Sequence, residues 1–292
     1  MKINGKSKIC GLIGNPVAHT LSPLIHNAVA EKMGHNLFYA AFHVKDEDGL
    51  ENAVNGAYAL GIAGINVTVP YKTAVIPFLK AVDPKAALTG AVNTLVRCEL
   101  GFMGHNTDNL GLLRAMESEG IKIKDSNVLL LGAGGAGRCA AFLCAEQEAR
   151  RVFIINRSKD KAVNLAAEIN QLFKKDCFSG IGPEDVGSLP KSDFIAIQST
   201  SLGMCPNENE TLIKNRAFFE RIKAGIDMIY NPAETLFMKY IKEAGGKAVN
   251  GQKMLLYQGI LAYELWSNET VPEEIIAAVD DLLTEAVNNL AQ

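Results

Sequence analysis

Residues 128–141 read Val-Leu-Leu-Leu-Gly-Ala-Gly-Gly-Ala-Gly-Arg-Cys-Ala-Ala, and no other stretch constrains the chain as tightly. Four apolar residues predict a short buried strand, and the Ala-rich run after them predicts a helix. Between them Gly132, Gly134 and Gly137 occupy the three glycine places of G-x-G-x-x-G. In such a turn the first glycine permits the sharp reversal, the second admits a pyrophosphate close to the backbone, and the third lets helix pack on strand. Free amides at the helix start, with the positive end of its dipole, then hold phosphate oxygens. Glycine-rich turns also occur without a ligand. Here a second apolar segment, Arg151 to Ile155, follows the helix and completes a β-α-β unit, which points to a bound dinucleotide.

The dinucleotide unit occupies the middle of a 292-residue chain, leaving room for a second domain with its own core. Apolar residues make up 48% and charged residues 21%, the balance of a globular protein rather than a disordered one. A net charge of −3 gives no basic face for nucleic acid or anionic lipid. Apolar runs are strand-sized, so none is expected to span a membrane. Gly11, Gly14 and Pro16 break the apolar stretch behind the first charges, which argues against a signal peptide and for a cytoplasmic protein. Six scattered cysteines include no C-x-x-C pair, and Cys10, Cys139 and Cys144 read as small core residues. The five histidines lack ligand spacing, so no protein metal site is expected.

Lys8 to Ile13 predicts a first strand, leading to a loop that closes on Ser22-Pro23, read as N-cap and first position of a helix reaching Met33. Leu37 to His43 predicts a second strand, Asp46 caps a second helix, and Gly64 to Val69 predicts a third strand. This β-α-β-α-β order calls for a parallel-type sheet in a separate N-terminal α/β domain. Within the third strand Asn66 and Thr68 share one face, and Lys72 falls just beyond its carboxyl end, ahead of a further helical stretch. Ligands bind at that edge of open α/β sheets. Residues 90–96 and 100–108 read as two extended segments about a turn, with Asn93, Asn106 and Asp108 near their ends. Each polar residue alone is most simply a cap, a turn or a solvated charge. Their gathering at strand ends beside a dinucleotide motif favours a site.

An NAD site usually places an acidic residue at the end of the second strand of the β-α-β unit. Here that strand ends in Asn156, followed by Arg157, Ser158, Lys159, Asp160 and Lys161. A cationic first turn opposes the helix dipole unless an anion sits there, so the cluster points to the 2′-phosphate of NADP, with Asp160 the residue that speaks against it. Ser192 to Thr200 and Ala224 to Pro232 read as further strands ending in polar loops, Ala233 to Ala244 as a helix and Lys247 to Val249 as a last short strand. Gln258 stands among Met254, Leu255, Leu261 and Ala262 on one helical face, where its amide needs a polar ligand or a carbonyl. Residues 272–290 form an amphipathic helix with a structural role.

These features together resemble the shikimate dehydrogenase family, including its quinate/shikimate branch, over essentially the whole length. The resemblance rests on seven motifs in order: His19 to Pro23, Asn66 to Lys72, Gly90 to Thr94, Asn106 to Asp108, Gly132 to Ala136, Asp227 to Pro232, and Gln258-Gly259. It implies an α/β enzyme with a substrate-binding domain of residues 1–107 and 252–292 and a Rossmann NADP-binding domain of residues 108–251. The implied reaction is the reversible NADP-dependent oxidation of shikimate to 3-dehydroshikimate, on the route to chorismate and the aromatic amino acids. By the same resemblance Thr20 and Ser22 hold the substrate carboxylate, and Thr68, Asn93, Tyr230 and Gln258 contact the ring, with Asn66 nearby. Lys72 and Asp108 form the catalytic pair. Gly132, Ala133, Gly134, Gly135, Ala136, Asn156, Arg157, Ser158, Lys161, Met228 and Gly251 face the cofactor. The partner is a small molecule rather than nucleic acid or membrane, and the expected state is monomer or homodimer.

Three positions depart from the family pattern. Thr20 stands where many members carry Ser, adding a methyl to the carboxylate pocket. Ser158 and Lys161 stand where NADP-specific members commonly carry Thr and Arg, and a lysine lacks the bidentate fork of a guanidinium. These positions keep open a quinate/shikimate dehydrogenase with NAD use. A non-catalytic dinucleotide sensor is the alternative of another class, against which an intact Lys72–Asp108 pair argues.

Overall fold

The computed structural model describes residues 3–290, and the chain divides into two compact units. The first runs through Gly111 and takes up again from Leu255 to Ala286; the second comprises Leu112–Met254 and the residues from Val287.

In the first unit, β1 (Lys8–Gly14), α1 (Ser22–Lys32), β2 (Leu37–His43), α2 (Leu50–Ala59) and β3 (Gly64–Val67) follow one another as expected. The chain then adds β4 (Ala81–Val82), α3 (Pro84–Thr89), β5 (Thr94–Cys98) and β6 (Gly101–His105), and α4 (Asp108–Ser118) begins beyond it. The sheet order is β2-β1-β3-β5-β6-β4. β1 pairs in parallel with β2 and β3, whereas the β5–β6 hairpin joins β3 antiparallel and makes the sheet mixed. A two-stranded hairpin can reverse direction through a short turn, which parallel strands cannot. Ile13, Val54, Ile65, Val67, Val75 and Leu95 pack in one core cluster of this unit. Gly64 is bare because the Trp266 ring lies against it, and Trp266 Nε1 donates to the Leu95 carbonyl at 3.0 Å.

Three local expectations are corrected here. Asp46 caps a 3-10 turn at Glu47–Gly49, its Oδ1 accepting from Gly49 N at 3.1 Å, and α2 follows Gly49 with no side-chain cap of its own. Ser22 does not cap α1: the helix starts at Ser22 itself after Leu21, with no side-chain cap. The helical stretch expected after Lys72 is a series of turns with one 3-10 turn at Ile76–Phe78. Pro77 has no amide to donate and its ring would meet the carbonyl four residues back, so no α-helix runs through it.

In the second unit, β7 (Asn127–Leu131), α5 (Gly135–Glu146), β8 (Arg151–Ile155), α6 (Lys159–Phe173), β9 (Phe178–Ile181), β10 (Phe194–Gln198), α7 (Arg216–Phe219), β11 (Ile222–Asp227), α8 (Leu236–Glu243) and β12 (Lys247–Val249) build a second sheet. Its order is β12-β11-β10-β7-β8-β9 and every pairing is parallel. The strand order reverses between β7 and β10, the switch point at which doubly wound sheets open a crevice. β9, like β4 of the first unit, is a strand the sequence pattern left unmarked; it has four residues, and its Gly180 admits the backbone of α6 at Ala162 and Val163. α8 starts three residues later than the helical pattern, because Thr235 caps it by accepting from Met238 N at 3.4 Å. The helices α9 (Gln252–Ser267) and α10 (Glu273–Leu290) complete the chain. Among the described residues no helix is long and apolar enough to cross a membrane.

Candidate active site

In the first unit the carboxyl edge of β3 and the start of α4 bring together residues that lie far apart in sequence. Lys72 Nζ stands 2.7 Å from Asp108 Oδ2, and the two side chains are 32% and 13% exposed, so this ion pair is partly shielded from water. Asp108 begins α4, where a carboxylate complements the helix dipole. Its backbone amide donates to Asn106 Oδ1 at 3.0 Å. Asn106 in turn donates to the Ala91 carbonyl, so the loop entering α4 is held from both sides.

Asn93 is the hub of the cluster. Its Nδ2 donates to Asp108 Oδ1 and Thr107 Oγ1, each at 2.9 Å, and reaches Gln258 Oε1 at 3.5 Å. Its Oδ1 accepts from Thr107 N at 2.8 Å and Thr94 Oγ1 at 3.0 Å. Asn66 donates to the Asn93 carbonyl at 3.2 Å and Thr94 Oγ1 at 3.1 Å, and accepts from the Tyr39 hydroxyl at 2.7 Å. These buried polar groups satisfy one another and so fix one arrangement of the amides. Tyr39 carries no signal in the sequence and looks like an ordinary strand residue until Asn66 is placed beside it, while Thr94 and Thr107 lie within the Gly90 to Thr94 and Asn106 to Asp108 motifs without a role of their own there. Gln258 finds its second partner in the Leu255 carbonyl at 2.8 Å.

Thr20 and Ser22 lie together before and at the start of α1. Thr20 Oγ1 donates to Ser22 Oγ at 3.1 Å and accepts from Ser22 N at 3.2 Å. Behind them His26 is fully buried, stacked on the Tyr39 ring at 4.2 Å between centroids. Burial drives its pKa down to about 3, with Asn66 pulling weakly the other way. By distance and angle neither ring nitrogen has a hydrogen-bond partner among the described residues. Thr68 follows the last residue of β3, its amide bonded to the Ile13 carbonyl at 3.0 Å.

In the second unit the glycine turn joins β7 to α5. Gly132 has φ +112°, a conformation L-residues rarely adopt, and any side chain on Gly137 would run into the Gly132 carbonyl. Gly134 precedes α5 without a capping side chain, and it and Gly135 face open space. Asn156 Oδ1 accepts from Ala133 N at 3.3 Å, tying the end of β8 to this turn. Arg157, Ser158 and Lys161 are exposed, and neither cation forms an ion pair among the described residues, whereas Lys159 is taken by Asp185 at 3.0 Å. Asp160 is exposed in the first turn of α6, where its charge suits the helix dipole. An open helix N-terminus beside two unpaired cations fits a dinucleotide that carries an additional phosphate.

Met228 and Gly251 meet at the carboxyl ends of β11 and β12. Met228 N donates to the Gln198 carbonyl at 2.9 Å, and a side chain on Gly251 would collide with the Met228 carbonyl. Asp227, wholly buried, accepts from Ile229 N at 2.9 Å and Thr235 Oγ1 at 2.6 Å and so ties both ends of the loop that carries Tyr230. Burial pushes its pKa up to about 7 despite those donors. Tyr230 is half-buried, which raises its phenol above the ordinary value.

A parallel nucleotide-type sheet with an open glycine turn, and a mixed sheet bearing a lysine–carboxylate pair, are what a dinucleotide-dependent dehydrogenase of alcohols requires. Residues 12–95 match the shikimate dehydrogenase substrate binding domain, 114–183 the shikimate / quinate 5-dehydrogenase family, and 251–279 the shikimate 5'-dehydrogenase C-terminal domain. A shikimate dehydrogenase (NADP(+)) of Desulforamulus reducens is 39% identical over 95% of this chain and 96% of its own. A shikimate dehydrogenase solved in complex with NADP+ is 36% identical, with TM-score 0.89 over 98% of both chains. The shikimate 5-dehydrogenase of Listeria monocytogenes, solved with shikimate and NAD, is 32% identical with TM-score 0.87 over 97% of this chain and 98% of its own. The chain belongs to the shikimate dehydrogenase family.

Proposed function

We propose that this protein catalyses the reversible oxidation of shikimate to 3-dehydroshikimate with NADP, the step its family performs on the way to chorismate and the aromatic amino acids. The observation that carries the reading is the Lys72–Asp108 pair, joined through Asn93 to a polar cluster at the sheet edge. In this reading residues 1–107 and 252–292 bind substrate and residues 108–251 bind the cofactor, in a cytoplasmic monomer or homodimer.

Oxidation of a secondary alcohol removes a hydride and a proton. NADP, when bound, supplies the hydride-accepting ring. The proton falls to Lys72 Nζ, which takes it when neutral and returns it in the reverse direction. Asp108 orients that nitrogen and favours its charged form, so the pair acts as one unit in proton transfer. The hydroxyls of Thr20 and Ser22 would hold the substrate carboxylate. Asn93, Thr68, Tyr230 and Gln258 would hold the ring hydroxyls, with Asn66 keeping Asn93 in place. For the cofactor, Gly132 to Ala136 would receive the pyrophosphate and Asn156, Arg157, Ser158 and Lys161 the adenosine end with its 2′-phosphate. Met228 and Gly251 would flank the reactive ring.

A second reading, a dehydrogenase that accepts quinate or uses NAD, is favoured by the Thr20 methyl and by Lys161, a point charge rather than a fork. A non-catalytic sensor would have no use for the lysine–carboxylate pair. Initial rates for shikimate and quinate with NADP and with NAD test the three together. Turnover of shikimate with NADP above the other combinations supports the first reading. Quinate or NAD rates of equal size support the second, and absence of turnover in all four leaves the sensor.

A further inference from the structure

Gly111 lies one turn beyond Asp108 on α4, and it is buried. A β-carbon placed on it would stand 2.8 Å from both the Cβ and the amide nitrogen of Gln258, and 3.0 Å from its Cα. The nearest atoms belong to the main chain and the first side-chain carbon of α9, and these cannot swing aside as the tip of a long side chain can. At this pair, therefore, the two helices touch with nothing between them. The same two helices converge on Asn93: its Nδ2 lies 2.9 Å from Asp108 Oδ1 on α4 and 3.5 Å from Gln258 Oε1 on α9. The second distance is at the outer limit of a hydrogen bond, so any added separation of α4 and α9 breaks the Gln258 link while the Asp108 link survives. Alanine is the better helix former, and a glycine in mid-helix is otherwise a cost. Close approach is the reason for one here.

We propose that Gly111 is a positioning residue for substrate binding: its missing side chain sets the depth of α9 and thereby brings the Gln258 amide to Asn93. The proposal rests on the reading of Gln258 as a substrate contact. Gly111→Ala is expected to lift α9 and withdraw that amide, weakening shikimate while leaving the dinucleotide turn untouched.

The experiment measures shikimate KM, kcat and NADP affinity for the wild type, Gly111→Ala, Gln258→Ala and the double variant. Gly111→Ala and Gln258→Ala should each raise the shikimate KM by about tenfold, the loss of roughly one hydrogen bond, with NADP affinity within about twofold of wild type. The double variant should be no worse than Gln258→Ala alone, because both changes remove the same contact. A wild-type KM in Gly111→Ala, or effects that multiply in the double variant, overturns the proposal. An unchanged KM in Gln258→Ala removes Gln258 from substrate contact, and the premise fails with it; the two failures are told apart by which single variant is silent. Should Gly111→Ala not accumulate as folded protein, Gln258→Asn, which shortens the side chain by one methylene and withdraws the amide from Asn93 without altering the helix contact, is expected to raise the shikimate KM by the same factor of about ten. A wild-type KM in Gln258→Asn overturns the proposal.

Discussion

Asp108 serves two partners at once: Oδ2 meets Lys72 Nζ at 2.7 Å and Oδ1 meets Asn93 Nδ2 at 2.9 Å. Neither oxygen can leave its place without breaking a charge-assisted bond, and each such bond is about twice as strong as a neutral one. The carboxylate therefore aims the ammonium and anchors the amide cluster in a single geometry.

In the proposed mechanism Lys72 and Asp108 act as a unit, so their losses should not multiply. Lys72→Ala should lower kcat by about 10²–10⁴, with a smaller change in shikimate KM. Asp108→Ala should cost a comparable factor, and the double variant much less than the product. Near-wild-type kcat in Lys72→Ala, read from initial rates at saturating substrates, would take the lysine out of the mechanism.

In the proposed function Arg157 and Lys161 select the cofactor. Each charge-assisted contact to a 2′-phosphate is worth roughly 1.5–3 kcal/mol, and two contacts on one phosphate add only in part. Arg157→Ala with Lys161→Ala should weaken NADP by more than about tenfold and leave NAD nearly unchanged. High salt should likewise weaken wild-type NADP binding more than NAD binding. Equal losses for the two cofactors would show that these cations hold no 2′-phosphate.

In the proposed function Thr20 bears on substrate choice. Thr20→Ser keeps the hydroxyl that bonds Ser22 and removes only a methyl. A methyl in a pocket discriminates by about 1–3 kcal/mol, so the quinate-to-shikimate ratio of kcat/KM should shift measurably but modestly. If the ratio stays as in the wild type, Thr20 does not set substrate choice.

Two buried groups should tilt stability with pH in opposite directions. His26 has a folded pKa of about 3 against an ordinary 6.5, so the native state binds fewer protons than the unfolded state between those values. Its stabilising share is complete above about pH 6.5 and is lost as pH falls towards 3. Between pH 7 and pH 4 the wild type should lose about 3 kcal/mol more than His26→Phe. Denaturant melts at the two pH values check this, and equal losses would mean that His26 titrates as an exposed histidine does.

Asp227 gives the reverse. Its folded pKa, raised from 3.8 to about 7, means that the native state holds the proton the unfolded state has released. Stability from this group is fully present below about pH 4 and declines as pH rises through 7. Asp227→Asn should abolish a decline on the order of 4 kcal/mol over that range. Melts that fall equally with pH in variant and wild type would show that Asp227 is charged in the native state throughout.

Much of the architecture is legible in the amino-acid sequence. The glycine turn, the strands on either side of it, and the first three strands of the other sheet follow from residue type and period alone, because neighbours in the chain decide local conformation. Gly132 and Gly137 are glycines for the reasons their spacing implied: a positive φ at one, a helix pressed on a carbonyl at the other. Lys72 and Asp108 were recognisable as residues at strand and loop ends, but nothing local states that they lie 2.7 Å apart, 36 residues separated in sequence.

Tertiary structure alone decided the rest. Ser22 has the composition of a helix cap, yet it stands as the first residue of α1 and its hydroxyl receives Thr20, two residues back. Thr94 stands beside Asn93 simply as the next residue of the chain, but Thr107 joins the site because the β5–β6 hairpin brings the segment after β6 back to Asn93. Gly111 shows no turn, no positive φ and no motif, and its meaning comes only from the α9 backbone lying against it. Periodicity is a property of a segment and is written in that segment. A contact between segments belongs to both partners and to everything that packs them, so it exists only once the chain has folded.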